Sequence, residues 1–204
     1  MKISFQGFLL VEMAIVLVIM TLVIGSLLVP LSAQMDQSRV KATQRYLETI
    51  KEALLGFAVI NGRLPCPDSN NDGIEDNPSA CDMEGDLPWI TLAVGRKDAW
   101  GQAFRYRVDV QYTALALPNP PNTVNNLRVR NRQGDQLTNE SVNSDVIAVV
   151  ISLGKDGQAN HENGGAIDNI YTQDAFVENI FDDRLIFLAK TILINRLAYY
   201  GQWP

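Results

Sequence analysis

Phe8 to Val29 reads FLLVEMAIVLVIMTLVIGSLLV, and the interpretation of that stretch decides the fold. As an α-helix it is roughly 33 Å long at about 1.5 Å per residue, enough to span a bilayer core of about 30 Å. Glu12 is its only charged residue. A carboxylate at the centre of a membrane helix costs on the order of 2.5–3.5 kcal/mol by insertion scales, and less near an end. Glu12 is therefore expected to have a polar partner or a task.

Downstream, Pro30 is followed by a segment in which Leu47, Ile50, Leu54 and Phe57 recur at steps of three and four, the stripe of an amphipathic helix. Asn61-Gly62 is a stop signal. The pattern predicts one long helix, apolar over 8–31 and amphipathic over 32–62, with a proline kink between. Upstream, residues 1–7 are MKISFQG, a short segment with one lysine that ends in a glycine directly before the apolar run.

Gly7-Phe8-Leu9-Leu10-Val11-Glu12 is similar to the processing signature of type IV prepilins and type II secretion pseudopilins. The resemblance implies that residues 1–7 are a leader removed by a prepilin peptidase. Phe8 then becomes the N-methylated terminus, and the apolar helix is retained in the bacterial inner membrane as a single pass. Cleavage would leave an ammonium on Phe8 and a carboxylate on Glu12, each costly in low dielectric unless it meets the other. Between staggered copies they can meet, so the pair would set axial register while apolar faces supply packing. A simple bitopic anchor is the plainer reading of the same residues.

From residue 63 to 204 the sequence predicts one periplasmic α+β domain, so the whole is a long N-terminal helix packed on a small antiparallel sheet, with a C-terminal helix. Arg105–Val110 and Leu127–Arg132 alternate polar and apolar residues, and Asp145–Ser152 is a β-branched run expected to be buried. Phe181, Leu185, Leu188 and Ile192 stand at helical spacing, which predicts a closing helix over 181–200. Asp98-Ala-Trp100-Gly101 resembles the turn that leads into the pseudopilin sheet, and Ser152–Gly157 with Gly164–Asp168 resembles a later loop of that family. Trp100 and Gly101 are expected to be a core aromatic and a tight turn.

Composition excludes several classes of function. The 204 residues carry 17 Lys+Arg against 23 Asp+Glu, a formal charge of −6 that argues against a general nucleic-acid coat. At 47% hydrophobic and 20% charged, the chain has enough apolar residues for a core. Two cysteines cannot make a four-thiolate zinc site, and the single His161 excludes paired-histidine sites. GxSxG, HExxH and glycine-rich phosphate motifs are missing, so no enzyme is expected.

Two loops are candidate calcium sites. Asp68, Asn70, Asp72 and Asp76 fall at the first, third, fifth and ninth positions of a run with Gly73 at the sixth, which suits a hard cation with Ile74 offering its carbonyl. The twelfth position is Ser79 rather than glutamate, so this is not an EF-hand, and a solvated acidic turn is the competing reading. Cys66 and Cys81 bracket the loop. In an extracytoplasmic compartment they are expected to pair rather than remain two buried thiols. The resemblance implies a second ion in the loop 153–169, with Asp168 and Asp156 as ligands, although Asn160-His161-Glu162-Asn163 interrupts the family pattern. His161 itself is expected to be an exposed loop residue.

Arg105, Arg107, Arg128, Arg130 and Arg132 fall at period two and would line one sheet face if their strands are neighbours, partly balanced by Asp109 and Asp135. The leading expectation is a structural subunit of a type IV pilus or type II secretion pseudopilus, resembling a minor pilin or accessory pseudopilin. Its partners would be other pilin or pseudopilin subunits, the prepilin peptidase and the inner membrane, its globular domain lying in the periplasm or in an extracellular filament. The rival is a membrane-anchored periplasmic calcium-dependent adhesin or ligand-binding module that does not assemble.

Overall fold

Helix α1, Leu10–Asn61, is assigned helical on both sides of Pro30. The structure is a computed structural model that describes residues 10–78, 81, 84–114, 127–138, 146–164, 169–178 and 180–201, with the side chains of 26–31 excepted. The chain divides into two compact units, residues 1–39 and 40–204.

In the first unit the apolar side chains of α1 are bare on every side. Leu10 is 90% exposed, Leu17 61% and Leu22 69%. Among the described residues no helix is long and apolar enough to cross a membrane. The run whose side chains are described stops at Gly25, short of the about 20 residues that a bilayer core requires. The expected membrane half over 8–31 is thus not met within the described residues, because 8–9 and the side chains of 26–31 fall outside them.

In the second unit the remainder of α1 carries the anticipated stripe. Leu47, Ile50, Leu54, Leu55 and Ala58 are buried, and Phe57 packs against the same cluster. The helix ends where the amide of Gly62 donates to the carbonyl of Ala58 at 2.9 Å. That bond satisfies one of the carbonyls a helix C-terminus would otherwise leave unpaired.

The chain is α+β. Strands β1 (Glu84–Asp86), β2 (Arg105–Val108), β4 (Val146–Ser152) and β6 (Arg184–Ala189) form an antiparallel sheet in the order β1-β2-β4-β6. Strands β3 (Arg128–Arg130) and β5 (Ile170–Thr172) form a separate parallel pair, which the sequence pattern does not predict. Every residue of β4 is buried. Ala148 and Val150 face the core that holds α1, while Val149 and Ile151 face a second cluster with Val129 and Tyr171. A register shift between Val146 and Ala148 lets Ile147 join Ala148 on the α1 side.

The closing helix is shorter than expected. Only α2, Lys190–Tyr199, is helical, and Arg184–Ala189 is strand. Ile186 and Leu188 pack toward α1, whereas Leu185 and Phe187 pack on the opposite cluster, so the period is two. A strand with apolar partners on both faces loses polar alternation, and its continuous apolar run reads as a helix face. Leu193 and Leu197 are the buried positions of α2.

The Asp-x-Trp-Gly turn is built around Asp98, which is buried. Its Oδ1 accepts from the amides of Trp100 and Gln102, both at 2.9 Å, and its Oδ2 accepts from Ser152 Oγ at 2.5 Å. The amide of Ala99 donates to Thr43 Oγ1 of α1 at 3.3 Å. Trp100 is half-buried rather than a core aromatic, because the turn is held by its carboxylate and by α1 rather than by an apolar pocket.

Candidate functional site

Two regions could carry function: the apolar run of α1 and the loops at the carboxyl end of β4. In the first, Glu12 lies in the first turn of α1 and is exposed among Leu10, Val11, Met13, Ile15 and Val16, themselves 43–90% exposed. An exposed helix that is apolar all round must be covered by lipid or by other chains. Gly7 and Phe8, the expected processing residues, lie outside the described residues.

Within the loop 66–81, residues 66–78 form a turn closed by its own side chains. Cys66 and Cys81 form a disulfide with Cα atoms 5.6 Å apart. Asp68 is almost wholly buried. Its Oδ1 accepts from the amides of Asn70 and Asn71, and its Oδ2 from that of Gly73 at 2.7 Å. Asn70 Oδ1 caps the amide of Asp72, Asp72 Oδ1 that of Ile74, and Asp76 Oδ2 that of Ser69. The side-chain oxygens expected to meet an ion are directed at backbone amides, which is how Asx residues close a turn unaided.

Gly73 does make the sharp bend, at φ +88°, and a Cβ there would stand 2.5 Å from the Trp89 ring. Its carbonyl accepts from Ile90 at 2.8 Å, so the bend packs against 89–91. Sequence reasoning missed Glu75, whose carboxylate takes both terminal nitrogens of Arg63 at 2.6 and 2.7 Å and the amide of Cys66 at 3.1 Å. The hydrogen bond to Glu75 is the main cause holding the Arg63 guanidinium above its usual range.

The loop after β4 is fastened by two carboxylates, Asp182 and Asp183, which the expected helix over 181–200 would have placed in its first turn and which instead precede β6. Asp182 Oδ2 accepts from the amides of Lys155 at 2.5 Å and Asp156 at 3.1 Å. Asp183 Oδ2 accepts from the amide of Asn160 at 2.7 Å and from Asn163 Nδ2 at 2.9 Å. Asn163, in a short 3-10 turn His161–Asn163, also exchanges bonds with the backbone of Thr172. Gly154, at φ +63°, is required because a Cβ would come within 2.5 Å of the Asp182 carbonyl oxygen.

Asp183 Oδ1 is buried without a hydrogen-bond partner. Burial pushes its carboxyl up to about 6, against the pull of Asn160 and Asn163, and the charges of Asp182 and Asp156 add to the rise. Asp156 Oδ1 accepts from the amide of Gln158, and Asp168 lies outside the described residues. Among the described residues no group of three or more His, Cys, Asp or Glu is placed to hold a metal ion. His161 is exposed and lies over Phe181, with ring centroids 6.0 Å apart.

The arginines do not share a sheet. Arg105 and Arg107 sit on β2 and Arg128 and Arg130 on β3, strands of different sheets. Glu84, directly opposite Arg107 in the β1–β2 register, pairs with both Arg105 and Arg107, the latter at 3.0 Å, and accepts from Tyr171 Oη at 3.1 Å. Arg107 also donates to Asn169. Arg132 pairs with Asp174 at 2.8 Å. The balancing acids are Glu84 and Asp174; Asp109 instead caps the amide of Gln111 and Asp135 takes the Asn131 amide. No family model, no curated protein and no solved structure matches the chain.

Proposed function

We propose that this chain is a non-enzymatic structural subunit of a type IV pilus or type II secretion pseudopilus, processed after Gly7 and assembled through its N-terminal helix. The observation that carries the reading is the bare apolar surface of α1 around a single acid, Glu12. A partner that is apolar nearly everywhere and positive at one place would complement such a surface. A lipid bilayer before assembly, and the same helix of a neighbouring copy with its Phe8 ammonium afterwards, meet both demands. The finer architecture belongs to this reading as well: residues 8–31 form the membrane and assembly half of the helix, 32–62 its amphipathic half, and the rest the periplasmic domain.

A disulfide-clasped loop is in keeping with an extracytoplasmic domain. Intact mass of the membrane-extracted protein tests the processing: loss of residues 1–7 and gain of one methyl group are expected, and a chain that still begins at Met1 in cells with the peptidase would overturn it. Glu12→Ala tests assembly. A filament subunit loses polymer yield at unchanged membrane level, whereas a tethered adhesin or ligand-binding module is indifferent to the change.

A further inference from the structure

The second unit carries a cleft and an exposed turn of matching chemistry whose residues do not line one another's clefts. The cleft, about 270 Å³, opens between α1 and the segment 94–97, and Ile50, Val94, Tyr46, Arg96 and Lys97 line it. Ile50 is buried beneath it, and no acid is among its lining residues. Arg96 is held in place, its guanidinium 4.6 Å above the Trp89 ring and donating to Asn71 Oδ1 at 2.8 Å. A cation fixed in this way is ready to meet an anion without further ordering.

The turn that carries Glu178 and Ile180 is closed by two bonds between the backbones of Val177 and Phe181 at 2.8 and 2.9 Å. It exposes Glu178 and leaves Ile180, a large aliphatic residue, 60% exposed. Both line a different cleft shared with Lys155, Asp156 and Asp182, in which acids outnumber the single cation.

We infer that the Glu178/Ile180 turn of one copy docks in the Tyr46/Arg96/Lys97 cleft of another, the carboxylate meeting the two cations and Ile180 lying over Ile50 and Val94. The inference rests on the filament reading and names its second contact. Charge favours this occupant: the cleft presents Arg96 and Lys97 with no acid among its lining residues, in a chain of net charge −6, and the turn exposes Glu178 beside Ile180. A contact between two different patches propagates from copy to copy rather than closing a dimer, as a filament demands.

The test uses the full-length chain in filaments assembled from a mixture of isotopically light and heavy subunits. Carbodiimide should join Lys97 to Glu178 in peptides of mixed isotope, which report bonds between copies. Lys97→Glu and Glu178→Lys should each lower filament yield at least tenfold, and the two together should restore it to within twofold. Single reversals that assemble normally, or a double reversal as poor as either alone, would overturn the docking while leaving the filament reading intact. Failure of the unaltered chain to polymerise would overturn both. Protection of Lys97 from acylation by inorganic phosphate but not by assembly would assign the cleft to a small anion instead and reject the inference.

Discussion

Asn163 donates through Nδ2 to Asp183 Oδ2 at 2.9 Å in a site where both side chains are buried and the other carboxylate oxygen of Asp183 has no partner. Burial favours the protonated acid and outweighs the opposing pull of the Asn160 and Asn163 donors. The folded-state value of about 6 lies above the ordinary 3.8, so the folded chain holds its proton at a pH where the unfolded chain has released it.

Stability should therefore rise as pH falls from 7 through about 6 toward 4. The expected gain is on the order of 1–3 kcal/mol. Below that range the carboxylates that accept amide bonds lose them on protonation and the trend reverses. Thermal melts of the purified full-length chain from pH 7.5 to 4.5 measure the gain, and Asp183→Asn should flatten it, since an amide can keep its oxygen toward Asn160 and Asn163.

Asp98 accepts three hydrogen bonds, one of them from Ser152, 54 residues away. Asp98→Ala leaves two amides and a hydroxyl unsatisfied and should cost about 3 kcal/mol or more, whereas Ser152→Ala should cost about 1.5–3 kcal/mol. Urea denaturation of the two variants gives the order; equal losses would mean that the turn does not depend on its carboxylate.

The loop 66–81 keeps its shape through amides directed at Asp68 and through the disulfide. Asp68→Asn removes an acceptor oxygen and should destabilise by about 1–3 kcal/mol, with no recovery on adding calcium. Replacing both cysteines by serine should cost about 3 kcal/mol in the chain-entropy account. A calcium-dependent rise in melting temperature that Asp68→Asn abolishes would contradict the amide-filled picture.

Glu84 is the shared partner of Arg105, Arg107 and Tyr171. Burial pushes the Tyr171 hydroxyl well above its usual range, so it remains a donor to Glu84 throughout the accessible pH scale. Glu84→Ala takes from the buried Arg107 its paired carboxylate, leaving it the neutral Asn169, and should cost about 3–5 kcal/mol, compared with less than about 1.5 kcal/mol for Tyr171→Phe. Chemical denaturation of both variants provides the check.

The fold was legible where burial follows a local period. Leu47, Ile50 and Leu54 announce the buried face of α1, and Val146–Ser152 announces a strand because β-branched residues crowd a pleated sheet better than a helix. Residues 184–189 misled because β6 is covered on both faces, which erases the alternation that distinguishes strand from helix. In the loops, oxygen-rich spacing identified the residues that close the turn, but the same atoms serve a metal and a backbone amide equally well.

By itself the sequence determined the long helix, the isolated acid within an apolar stretch, the buried strand and the closeness of two cysteines, all properties set by residues within a few turns of one another. Only the tertiary structure decided which charge meets which: Glu84 with Arg107, Asp98 with Ser152, Asp183 with Asn160 and Asn163. Backbone period is a local property that composition displays, whereas a carboxylate's partner depends on chain segments brought together by burial of surfaces far apart in sequence.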